Sequence, residues 1–344
     1  MMKLKPFSKN SESNRFHAQC LVLLKAVFGL CLLVLMFPAI EGCAPKKEAA
    51  LSLSPGELQN KFELKCKKDY NLHVVTRLVG KTFWIYAPTD KNLFDFAAET
   101  PTPPDPMKKH AKYDLLYIHG EFTEKSFIFD YDVVPKIKSE LQNEGIKNEA
   151  SDYYNKLYNN LITVLTETML DPKTPASFVV LTICDIKKGI ESRYTFYLED
   201  YRKASVEGLP YDEFNKRVLQ EYKGNTNFIG DQLGQHLEYN DVIMPVFLTK
   251  QMVNRIRYKF TQSDFPPQQN YETAIIDTIA DTTRYYHFKD FMTVRTNDIR
   301  NKKKMVFTPK QLSSFGEDKK AEKDSDGKLI HITFEDGKTT FKEQ

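Results

Sequence analysis

The segment Phe178 to Ile186, Phe-Val-Val-Leu-Thr-Ile-Cys-Asp-Ile, constrains this chain more than any other. A strand with one face in water alternates apolar and polar residues, and this one does not. It is therefore predicted to be a central strand buried on both faces.

Around it the chain reads as helices and hairpins. Ser54-Pro55-Gly56-Glu57 opens a helix running to about Lys68: the serine caps, proline suits the first turn, and glutamate stands three residues after the cap. Asn71 to Leu78 alternates, with Leu72, Val74 and Thr76 on one face; Gly80-Lys81 turns the chain and Thr82 to Ala87 returns. Residues 97–112 carry Pro101, Pro103, Pro104 and Pro106 and are expected to be a surface loop or a boundary. Two more strands are expected over Tyr113 to Val134. Leu115, Tyr117 and His119 alternate in the first, Phe127, Phe129 and Tyr131 in the second, and Gly120 to Lys125 forms the turn. Ser151 caps a long helix to about Leu170, where Tyr154, Leu157, Leu161, Leu165 and Met169 make an apolar stripe. After the apolar strand, Lys187-Lys188-Gly189 turns and Ser192 to Leu198 returns. Helix, strand, glycine-containing turn and strand thus occur at 54–87 and again at 151–198, without similarity of residues.

Helices dominate beyond residue 200. Tyr211 to Tyr222 is predicted helical and closed by Gly224. Asp241 to Phe260 forms a longer helix with Leu248, Met252, Ile256 and Phe260 in a row. Ser263 to Gln269 breaks the chain before a helix from Tyr271 to about His287, with Ile275, Ile279 and Tyr286 on one side. Lys328 to Lys342 reads as a last hairpin turning at Asp336-Gly337. The expected class is α+β: an antiparallel, hairpin-rich sheet in the first half covered by helices, a helical second half, and a C-terminal β-hairpin. The expected organisation is 54–200 and 201–344, packed together as one unit.

The first residues belong to a different problem. Lys3, Lys5, Lys9, Arg15 and Lys25 make a basic leader, and Ala26 to Ile40 is apolar but shorter than the roughly 20 residues a spanning helix needs. Ile40-Glu41-Gly42-Cys43 follows. This resembles the bacterial lipobox, an aliphatic residue and two small residues before cysteine, although Glu41 stands where a small residue is usual. The resemblance implies a signal peptide over 1–42, cleavage between Gly42 and Cys43, a diacylglyceryl group on the Cys43 sulfur and fatty acylation such as palmitate. Residues 43–53 are then a tether, and two acyl chains suffice for stable attachment. Ala44 follows the cysteine, so the Asp that usually marks inner-membrane retention is not there. The implied place is the cell envelope, facing the periplasm, with the outer membrane favoured where there are two.

Removing 1–42 takes five of the 49 basic residues and two of the 46 acidic ones, which leaves equal numbers. A neutral body gives no field for nucleic acid, so no such partner is expected. Twenty-four Phe and 18 Tyr against 14 Gly describe a folded domain rather than a stalk. Cys66 and Cys184 are left in the body, either as a disulfide in an oxidising compartment or as two buried thiols.

Chemical motifs do not survive inspection. Gly80-Lys81-Thr82 imitates the end of a phosphate loop, but Val75 stands where the motif needs glycine, and the flanks read as a hairpin. Glu322, Asp324, Asp326 and Gly327 imitate a calcium loop whose twelfth position is Thr333 rather than Glu. His73, His110, His119, His236, His287 and His331 lack zinc-site spacing and read as surface or satisfied core residues. Arg284 to Phe291 reads as a helix end packing aromatics on the sheet, with a sugar-stacking platform as the sharper alternative. Asn301 to Lys304 reads as a solvated loop, with anionic headgroups as the alternative. No catalytic residue, metal or cofactor is expected. The body is expected to be a non-enzymatic binding or scaffolding protein with an envelope protein as partner. The alternatives are a transporter's solute-binding lipoprotein and a carboxylate hydrolase of envelope glycans, whose paired acids spacing cannot reveal. Cys43→Ala is expected to abolish incorporation of labelled palmitate into the full-length protein. Label that persists in this variant refutes lipidation at Cys43.

Overall fold

The computed structural model describes residues 54–97, 113–135, 147–171, 173–206, 208–261, 270–315, 330–335 and 338–343. Residues 53–344 form one compact unit of mixed α+β structure. Helix α1 (Pro55–Tyr70) starts on the expected capping box. The Glu57 N–H donates to Ser54 Oγ at 3.3 Å, and the Ser54 N–H donates to the Glu57 carboxylate at 2.7 Å. β1 (Val75–Val79) and β2 (Thr82–Thr89) form the hairpin, with Gly80 left-handed at φ +56° in its turn. α2 (Asp152–Met169) is capped by Ser151 and buries the stripe read from its sequence. β7 (Phe178–Asp185) is buried at every position, as its composition requires, and β8 (Ile190–Tyr197) returns beside it.

Short elements fill the connections. β3 (Phe94–Ala97) pairs antiparallel with β6 (Lys147–Ala150). α3 (Leu198–Ser205) and α4 (Tyr211–Arg217) precede β9 (Leu219–Gly224), and β4 (Tyr113–Thr123) is hairpinned to β5 (Ser126–Pro135). Later come α5 (Met244–Thr261), α6 (Tyr271–Tyr285), β10 (Thr293–Asp298), β11 (Lys303–Phe307) and α7 (Pro309–Leu312). β12 (Ile330–Glu335) and β13 (Lys338–Glu343) form the expected last hairpin.

The five-stranded sheet runs β1-β2-β7-β8-β9, so β7 is central, and α1 and α2 share one of its faces. There Phe62, Leu161, Phe83, Leu181 and Phe196 build one core. The four-stranded sheet runs β11-β10-β5-β4, and α5 and α6 cover one face of it with Leu248, Ile256, Ile275 and Ile279 against Phe129 and Val294.

The structure corrects several finer expectations. The second half, expected to be mainly helical, also holds β9, β10 and β11. The expected helix over 211–222 stops at Arg217, because Leu219 to Gly224 pair along β8 and satisfy its outer backbone groups. β10 carried little apolar signal, since its inward side is Val294, Thr296 and Asp298, and β11, Lys303–Phe307, was not read as a strand. Nor are the sheets purely antiparallel: β2 runs parallel to β7, and β10 parallel to β5. The two helix-plus-hairpin segments adjoin in one sheet, β2 running parallel to β7, with α1 and α2 on one face.

The turn expected over Gly120 to Lys125 is only Glu124-Lys125, both left-handed at φ 47° and 56°, the geometry of a tight type I′ hairpin. A register shift between Leu115 and Tyr117 also breaks the alternation there, exposing Leu116 and Tyr117 and burying Ile118. Gly120 lies inside β4 because α5 presses on it. A Cβ there would stand 2.8 Å from Val253 and 2.9 Å from Thr249 and Phe129. Gly120→Ala is expected to cost about 1–3 kcal/mol through overpacking against β-branched side chains that turn with difficulty. Gly56→Ala, where nothing lies within 4 Å, serves as the control and should be neutral or stabilising. Equal melting temperatures for the two variants would refute the close approach.

Candidate functional site

The other face of the five-stranded sheet is covered by an irregular segment, 225–243, and at its Phe178, Tyr197 and Leu219 end by Phe247 of α5. Phe228 and Leu237 from that segment close over Trp84, Tyr86, Val180 and Cys184. Connections this long without regular structure are uncommon in compact domains and are usually functional. A loop has no ladder of its own, so its backbone must find partners elsewhere.

Those partners are specific. Asn225 caps a single 3-10 turn, Thr226–Phe228. Gly230 (φ +77°) and Gly234 (φ +68°) then reverse the chain. A Cβ on Gly234 would stand 2.5 Å from the Tyr239 hydroxyl and 3.0 Å from the Tyr86 ring. The Gly230 N–H donates to the Ile186 carbonyl at 2.8 Å, and the Tyr86 hydroxyl donates to the Asp231 carbonyl at 2.6 Å. At the far end Trp84 Nε1 donates to the Asn240 carbonyl at 3.0 Å. Asp241 accepts from the Lys81 N–H at 2.9 Å and the Thr82 hydroxyl at 2.7 Å. The supposed phosphate-loop groups therefore sit in a hairpin turn and bind a carboxylate of the same chain.

The centre of the segment is a chain of three ionisable groups. Asp231 Oδ1 accepts the Leu233 N–H at 3.0 Å, and Oδ2 accepts the His236 N–H at 3.0 Å and lies 2.5 Å from His236 Nδ1. His236 Nε2 stands 2.9 Å from Glu191 Oε2 on β8, and the other Glu191 oxygen is 2.8 Å from the Arg193 guanidinium. The Glu191 side chain is 0% exposed and that of His236 is 6% exposed. A buried carboxylate is costly unless paired, so the loop is bound to the sheet through the groups that make Glu191 tolerable there. Burial pushes the Asp231 carboxyl up, but the N–H groups of His236 and Gln235, the imidazole and the Leu233 N–H outweigh it and hold it at about 2. Phe228 flanks the imidazole at 4.2 Å between ring centres.

Above this brace lies an open pocket of about 640 Å³, formed entirely by 225–236. Its lining includes the carboxamides of Asn225, Asn227, Gln232 and Gln235 and the half-exposed apolar chains of Ile229 and Leu233, but no Lys or Arg. Both imidazole nitrogens are occupied and Glu191 is sealed, so the trio positions the loop.

The other expected positions fall as follows. Gly42 and Cys43 lie outside the described residues, as do His110 and the calcium-loop imitation at 322–327. Cys66 and Cys184 are free, buried thiols on opposite faces of the sheet, Cys66 in the helix-covered core and Cys184 under the loop. The bridge left open by the sequence is therefore not formed, and burial pushes both thiols up to about 12. His73, His119 and His287 are exposed, and His236 is the satisfied one. The 284–291 stretch packs Phe288 and Phe291 on Phe127 and Tyr286 on Phe247, so it is a helix end seated on the sheet. In 301–304, Lys303 pairs with Glu272 at 2.6 Å. A second ionic group, in which Arg217 binds Asp200 and Glu213 and Arg255 binds Glu213, fastens α3 and α4 to α5. Among the described residues no cluster of His, Cys, Asp or Glu could hold a metal ion. No family model, curated protein or solved structure matches the chain.

Sequence reasoning missed Glu191, Asp231 and His236 as a group. The available signal was an Asp and a His five apart in a segment punctuated by Gly230 and Gly234. Asp231→Ala strands the N–H groups of Leu233 and His236 and is expected to cost about 1–3 kcal/mol at pH 7. A carboxyl held below its unfolded value near 3.9 contributes stability that is complete above that pH and lost as pH falls toward 2. Wild type should therefore lose stability more steeply than the variant between about pH 4 and pH 2. Superimposable acid unfolding profiles would refute the role given to Asp231.

Proposed function

We propose that this protein is a lipid-tethered envelope protein that acts by binding rather than by catalysis, with the 225–236 pocket as its ligand site. The observation that carries it is the pocket whose ionisable lining groups, Asp231 and His236, are engaged in holding the loop itself. The tether rests on the resemblance of Ile40 to Cys43 to the lipobox, and among the described residues no helix is long and apolar enough to cross a membrane. A hydrolase of envelope glycans would need two carboxylates facing each other across a cleft. Here Glu191 and Asp231 face a histidine instead, and the first of them is fully buried. A transporter's solute-binding protein would need repeated βα units in two lobes, and the hairpins and mixed sheets of residues 53–344 do not supply them.

Cross-linking in intact membranes, followed by detergent extraction and mass spectrometry, tests this. The expected result is near-stoichiometric recovery of an envelope component, protein or glycan, attached to the full-length protein. Recovery of the protein alone would overturn the proposal, and so would turnover of an envelope glycan by the purified protein.

A further inference from the structure

We infer that the 225–236 pocket takes a neutral, hydroxyl-rich ligand, that is, an uncharged glycan segment. The inference rests on the binding role proposed above and names the chemistry of that same site. Charge comes first. The lining holds no Lys or Arg, so a phosphate, sulfate or carboxylate would find no cation to pair with. Its one carboxylate, Asp231, is already bound by His236 and by backbone N–H groups, so a cationic ligand would find no open acceptor of full charge.

The remaining polar chemistry is carboxamide. Asn227, Gln232 and Gln235 are exposed and line the pocket, and their side chains bond no other described residue. Each presents a carbonyl acceptor and an NH₂ with two donors. That combination matches a hydroxyl, which donates and accepts at one oxygen, and several carboxamides in one lining can meet several hydroxyls of a ring. Ile229 and Leu233, 53% and 50% exposed, supply the apolar contact that the C–H face of a sugar ring needs.

Rigidity makes the site effective. A loop ordered only on binding loses affinity to that ordering. Here the Glu191–His236–Asp231 chain, the Gly230 N–H and the Tyr86 hydroxyl hold the backbone from below, and the carboxamides above are left for the ligand. The volume of about 640 Å³ lies within the range of small-molecule sites and leaves room for a short oligosaccharide.

Titration calorimetry on the detergent-solubilised full-length protein tests this with chitotriose, maltotriose and laminaritriose. A sulfated heparin tetrasaccharide and N-deacetylated chitotriose serve as anionic and cationic comparators. At least one neutral trisaccharide should bind more tightly than both charged probes. Asn227→Ala and Gln235→Ala, both at exposed positions, should each weaken that binding about fivefold while leaving the melting temperature unchanged. Tighter binding of a charged probe would overturn the inference, and so would neutral binding that ignores both substitutions or no neutral binding at all. Those results would leave the tether and the envelope association standing, because these are read separately from Cys43 labelling and from the cross-linked partner.

Discussion

Everything in this fold answers to a strand that can face water on neither side. β7 sits at the centre of its sheet with all eight residues buried, so two covers are required. Two helices with apolar stripes provide one, which is the ordinary solution. The other is made by 225–243, a segment with no regular element beyond one 3-10 turn, joined at the Phe178 end by Phe247 of α5. The two covers differ in what they demand. A helix satisfies its own backbone and needs only apolar contact, whereas a loop must be supplied with hydrogen-bond partners along its length.

Polar groups lie under both covers, since Tyr154 of α2 meets Ser192 and Tyr194 and Glu63 of α1 meets Thr76, but under the loop they also meet its backbone. Glu191, Arg193, Tyr86 and Thr82 all reach the loop side, where they meet a histidine, an aromatic ring or a backbone group. Arg77 likewise lies over the Tyr239 ring at 4.1 Å. Each ionic or hydrogen-bonded contact restores something lost on burial, so the net gain is mostly specificity of position. A cover built this way holds one conformation without being packed like a core. Its outer surface is thereby left free of structural duty, which a helix with one apolar face and one solvated face could also offer, but without the concavity.

What was legible in the sequence was local. The Ser54 and Ser151 caps, the stripe of α2 and the unbroken apolar run of β7 are patterns within a dozen or so residues, and each appears in the fold where its chemistry put it. What was not legible depended on partners distant in the chain. β9 looks helical until β8 is set beside it, and β10 looks like loop until β5, more than 150 residues earlier, offers parallel pairing. Gly120 looks like a turn residue until α5 is laid across it. The brace is the extreme case: Glu191 and His236 are 45 residues apart, and neither has a neighbour in sequence that announces the other.

Position also sets what the brace can reach. An imidazole between two carboxylates carries the side chains of an acid–base relay, and from the residue list alone it would invite that assignment. A relay works because one end is open to substrate. In this protein one ring nitrogen ends on the loop's own Asp231 and the other on a carboxylate with 0% exposure, so neither nitrogen has an open side. What the geometry holds in place is the loop that carries the carboxamides of Asn225, Asn227, Gln232 and Gln235 into the pocket lining.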